Sequence, residues 1–204
     1  MLCRNQFQNI DATIIMPQRI NKKAYILLKG DLGLENVIRK TIHEFVHLLH
    51  RCVITKNMNL HDLDEIEDNQ DNKLYYYLDE FLTKKKELII YYDLIFKNKK
   101  TVDEDVYINT MMKAFEYAKE PSLEILDFMR KELFALAETQ AYITIFPNMF
   151  PENFIEDYAN LSDIKLIIDI LKGFDSIEVF TKNRCDLKVV VDMLEKNYFT
   201  SHQN

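Results

Sequence analysis

Glycine and proline are scarce in this chain, three and four residues among 204. So few turn-formers leave few places for tight turns and many long stretches in which helices can run, and a mostly helical chain is expected. Tryptophan is absent, and the three cysteines, Cys3, Cys52 and Cys185, are odd in number and widely spaced. Without a CxxC pair they predict neither a disulfide framework nor a thiolate zinc knuckle, and a reducing cytoplasm is the expected compartment. Basic excess is lacking too: the formal charge of -7 argues against direct binding of nucleic acid, which relies on cationic surface to displace counterions. No apolar run approaches the ~18 residues of a membrane span, and the N-terminal segment has no apolar signal core.

What is present is the composition of a folded protein, 48% hydrophobic and 29% charged, at a length that suits one good-sized domain. Two segments read as strands, Ala12 to Pro17 and Ala24 to Leu28, and the polar residues between them suit a hairpin turn. From Leu34 to about Ile54 a helical period takes over, with Leu34, Ile38, Ile42, Phe45, Leu49 and Cys52 predicted as the buried stripe. Met58 to Asn72 reads as an acidic loop. Lys73 to about Lys97 predicts a second helix that buries Leu74, Leu78, Phe81, Leu88, Tyr92 and Ile95. Within it the lysines of "TKKKELII" read as a solvated face.

Further helices are predicted over Asp103 to Lys119 and over Pro121 to Phe146, the latter with Pro121 in its first turn. Another runs from Ser162 to Lys172, capped by Ser162 and ended by Gly173. The last covers Asp186 to Asn197, although Val189 to Val191 also suit a strand. The expected fold class is α+β and predominantly helical, a small N-terminal β-sheet followed by helices. The expected organisation is a single domain over 1–204, its first hundred residues carrying the strands and two helices and the remainder a helical half.

Three of the five histidines fall within "HEFVHLLH", His43 to His50. At 100° per residue His43, His47 and His50 cluster within about 60° on one side of the helix, away from the predicted apolar stripe. His43, Glu44 and His47 form a His-Glu-x-x-His arrangement. Residues four apart on a helix are neighbours, so two imidazole nitrogens can converge on one zinc ion at ~2.0–2.1 Å each. Glu44 is then placed as general base, taking a proton as zinc-activated water attacks an amide carbonyl. Histidine and carboxylate ligands equally suit Mn, Fe, Co or Ni.

Catalytic zinc needs a third protein ligand. On a regular helix His50 stands about 10.5 Å along the axis from His43, too far to share one ion with both His43 and His47. The variant motif with an intervening glycine and a third histidine is absent. A carboxylate on the next helix is expected, with Glu80 favoured over Asp79, Glu87, Asp62 and Glu65. His61, Tyr75, Tyr76 and Tyr77 are weaker candidates for a hydrogen bond to the oxyanion. His202 lies in the C-terminal tail.

Over Ala24 to Ile90, a strand, then "HEFVH" on a helix, then "DEFLTKK" on the next, the chain resembles the zincin metallopeptidases with a downstream glutamate ligand, most closely the ImmA/IrrE-like family. The resemblance implies a zincin-like fold and one zinc ion per chain held by His43, His47 and Glu80, with Glu44 as general base. It also implies a cytoplasmic peptidase, often related to phage or mobile elements, that cleaves or antagonises a repressor protein. Thr83 and Lys84 depart from the family pattern, where a small alanine and an Asn or Asp are usual. They motivate an alternative: a catalytically inactive zincin-like module that sequesters a regulatory protein. No DNA-binding helix-turn-helix is evident, and a protein or peptide is the expected partner.

Overall fold

The computed structural model describes residues 12–15, 23–57, 72–96, 124–147 and 164–201, with isolated positions between 109 and 122. The helix expected over Asp103 to Lys119, the acidic segment from Met58 to Asp71 and the capping Ser162 fall largely or wholly outside them. The described residues are predominantly helical, and the chain divides into two compact units, Met1–Asn72 and Lys73–Asn204.

In the first unit, strands β1 (Ala12–Ile15) and β2 (Tyr25–Leu28) pair antiparallel, with Ala12 opposite Leu28 and Ile15 opposite Tyr25. Helix α1 (Leu34–Asn57) packs on both strands. It contains no glycine or proline, and its ends suit the helix dipole, with Glu35 in the first turn and Lys56 in the last. Most of the expected stripe is overturned here, Ile38 and Ile42 alone of its six residues being half-buried. Leu34, Phe45 and Leu49 are 77%, 49% and 48% exposed, and Cys52 is exposed as well. The inward face is instead that of His43, Val46, His50 and Ile54, at helical steps of three and four, flanked by Glu44 and Thr55. Hydropathy ranks leucine and phenylalanine above histidine, so it selected the wrong side of the helix.

The second unit is built around two helices, α2 (Asn72–Phe96) and α3 (Ile125–Ile145). Every residue of α2 from Tyr75 to Thr83 except Tyr76 is buried, as are most residues of α3 from Met129 to Tyr142. Leu78, Phe81 and Leu88 of the predicted α2 stripe are in the core, whereas Ile95 is exposed. Helix α4 (Ile164–Lys172) buries Ile167, Ile168 and Leu171 and ends at Gly173, whose N–H donates to the carbonyl of Ile170. A short 3-10 turn (Ile177–Val179) leads into α5 (Phe180–Ser201), which bends at Asn183 and packs against α3 and α4. Val189 to Val191 are helical, so tertiary packing of Leu187, Val190 and Leu194 outweighs β propensity. Helix α3 starts at Ile125, after an extended Glu124, rather than at Pro121.

The lysine run is not a solvated face. Lys84 pairs with Glu138 at 3.1 Å and with Glu87 at 3.6 Å. Lys85 donates to Gln140 Oε1 at 3.2 Å and pairs with Asp175 at 3.5 Å. Gln140 Nε2 in turn donates to the carbonyl of Ile168, so one polar network links α2, α3 and α4. Burial depresses the Lys86 ammonium below the ordinary lysine range, and the charge of Glu178 offsets part of that. These cations lie inward because acids and amides of neighbouring elements satisfy them.

Candidate metal and catalytic residues

Helix α1 presents His43 and His47 one turn apart, and their rings meet edge to face with centroids 4.7 Å apart. Their Nε2 atoms are 3.1 Å apart. Two neutral imidazoles in that geometry tolerate one another only if one nitrogen carries the proton, or if a cation takes both lone pairs. Two nitrogens bound to a tetrahedral zinc at ~2.0–2.1 Å stand roughly 3.3–3.4 Å apart, close to the observed separation. The nitrogen separation is therefore compatible with one shared ion as well as with a shared proton. His43 is 6% exposed, His47 is half-buried, and Glu44 lies a step round the helix at 9% exposed. His50 is on the same face and 2% exposed.

Glu80 is on α2 in the second unit, 6% exposed. Its Oε2 takes no hydrogen bond among the described residues and lies 3.7 Å from Nε of Arg130 on α3. Tyr76, one turn earlier on α2, is hydrogen-bonded to Glu80. Burial first, and then the Glu80 charge, push the Tyr76 phenol up to about 12, against a smaller opposing effect from Arg130. Tyr76 therefore keeps its proton at any physiological pH and can donate it in a hydrogen bond. Tyr75 and Tyr77 are core residues; Tyr75 packs edge to face on Phe180.

The rival acids within the described residues have other engagements. Asp79 accepts a hydrogen bond from the Thr83 hydroxyl at 3.4 Å, and Glu87 is paired with Lys84. Thr83 and Lys84 thus serve neighbouring acids within α2 and α3. Asp62, Glu65, His61 and His202 lie outside the described residues. Arg130 was not singled out by any motif or spacing; its position beside Glu80 depends on how α3 packs on α2. No protein-family model, curated protein or solved structure matches the chain.

Proposed function

We propose that this chain is a zinc-dependent metallopeptidase with a restricted protein substrate, holding the ion through His43, His47 and Glu80. The observation that carries the reading is the convergence of two imidazole Nε2 atoms at 3.1 Å on one helical turn, with Glu44 between them in sequence. In support, the second unit offers, at Glu80, a buried carboxylate oxygen that takes no hydrogen bond among the described residues. Two imidazoles and one carboxylate leave a fourth position open, as hydrolytic zinc requires. Bound zinc would supply Lewis acidity and bring the pKa of a water towards ~7. Glu44 would accept the proton as that water attacks the peptide carbonyl, and then deliver it to the leaving amine. A cytoplasmic setting and a repressor-like substrate follow from the resemblance to the ImmA/IrrE-like family. No helix among the described residues is long and apolar enough to cross a membrane.

The test is the zinc content of purified protein by elemental mass spectrometry, together with cleavage of a quenched-fluorescent peptide library. About one zinc per wild-type chain, lost in His47→Ala and in Glu80→Ala, with cleavage abolished in a metal-retaining Glu44→Gln, is the expected result. Wild-type protein that takes up no added zinc overturns the proposal. The Arg130 ion pair favours a second reading, because it gives Glu80 a counter-charge without metal. In that reading the chain sequesters a partner protein, and capture of the partner is unaffected by Glu44→Gln.

A further inference from the structure

Within the second unit, the buried carboxylate of Glu80 has a cationic neighbour of unusual kind. Arg130 Nε stands 3.7 Å from Oε2, close enough for an ion pair and too far for a hydrogen bond. The Arg130 side chain is 50% exposed, against 8% for that of Glu80. It is braced rather than loose: its guanidinium carbon lies over the Phe134 ring, 5.2 Å from the centroid. Lys84 approaches the same ring at 5.6 Å, but its ammonium is engaged by Glu87 and Glu138. Tyr76, one turn before Glu80, offers it a neutral hydroxyl rather than a charge.

Burying a carboxylate is costly unless a cation compensates it. A divalent ion at the same oxygen would meet that need more fully than a guanidinium at 3.7 Å, and would set two positive charges against each other across one carboxylate. We infer that Arg130 is a positioning residue, the resident counter-charge that holds Glu80 in the metal-free protein and competes with the metal ion for it. The inference rests on the metal reading above. Its signature is a pair of effects with opposite sign. Removing the Arg130 charge lowers the stability of the metal-free chain and tightens its hold on zinc, whereas a residue important only for packing would weaken both.

The experiment is zinc binding to the full chain in competition with a chromogenic chelator, paired with thermal unfolding of the chelated protein. The variants are Arg130→Gln, Arg130→Lys and Phe134→Leu. Arg130→Gln is expected to bind zinc on the order of tenfold more tightly than wild type, from the relief of like-charge repulsion at a partly solvated site. Its metal-free form is expected to melt earlier. Arg130→Lys keeps the charge and stays near wild type; Phe134→Leu keeps the charge but frees it, and binds zinc more tightly by a smaller factor. Unchanged or weaker zinc binding in Arg130→Gln and Phe134→Leu, with wild-type uptake intact, overturns the role of Arg130 alone. Absence of zinc uptake by the wild type overturns the metal reading and this inference with it.

Discussion

Tyr77 shows how much a single enclosed side chain couples folding to pH. It is fully buried, and its hydroxyl takes no hydrogen bond among the described residues. Burial first, then the charge of Glu195 and the neighbouring Tyr76, push its phenol from 10.0 up to about 12. The folded state therefore holds the proton more tightly than the unfolded chain. That contribution is present in full below pH 10 and is lost as pH rises towards about 12. Urea unfolding followed against pH should show the wild-type midpoint falling more steeply across that window than the midpoint of Tyr77→Phe. Near neutral pH, Tyr77→Phe should be as stable as wild type or slightly more so, since it deletes a polar group that has no partner. Equal slopes in the two proteins would show that the phenol is not the titrating group.

At the scale of elements, α1 makes the sharpest claim, because its exposed face carries the large apolar residues and its inward face the imidazoles. Ile54 is 1% exposed, so Ile54→Ala should cost about 2–4 kcal/mol in urea unfolding, while Leu49→Gln, on the 48% exposed side, should cost under ~0.5 kcal/mol. The reverse ranking would restore the stripe that hydropathy alone selects. The existence of α1, α2, α4 and α5, the approximate bounds of the first three, the antiparallel strand pair and the one-turn spacing of His43 and His47 were legible in the sequence, since hydrophobic period, a terminating glycine and residue spacing are local properties, whereas α5 begins at Phe180, before the expected Asp186. The inward side of α1 was not, because nothing local marks His43, Glu44 and His50 as buried. The lysine run failed for the same reason: Lys84 and Lys85 are satisfied by Glu138, Gln140 and Asp175, which are distant in sequence. Lys84 is 12% exposed at its side chain, and Lys84→Ala would leave the buried Glu87 and the half-buried Glu138 without this cation. Breaking such a pair costs about 3–5 kcal/mol. Urea unfolding should detect that loss readily, whereas Lys172→Ala, at an exposed pair with Asp169, should leave the midpoint where it is.

The two units of the molecule differ in what each buries for itself. Among the described residues, the second holds nearly all of the fully enclosed apolar side chains, such as Phe81, Met129, Leu133, Leu136, Phe174 and Leu194, drawn from three helices and the turn after α4. It also carries the Lys84, Lys85 and Gln140 network that ties α2, α3 and α4 together. The described part of the first unit offers two four-residue strands and one helix, with Val46 and Ile54 as its buried hydrophobic residues. A two-stranded sheet with so small a core is marginal, and the area a short chain removes from water barely offsets the entropy of ordering it. The fragment 73–204 should therefore fold alone, with a strongly helical far-UV circular dichroism spectrum and a single cooperative thermal transition. The fragment 1–72 should show weak helicity that rises smoothly with trifluoroethanol and no cooperative melt. A cooperative transition in the short fragment would mean that the hairpin and α1 bury more than their described apolar residues account for. A non-cooperative melt in the long one would mean that its polar network and helical core cannot hold without the first 72 residues.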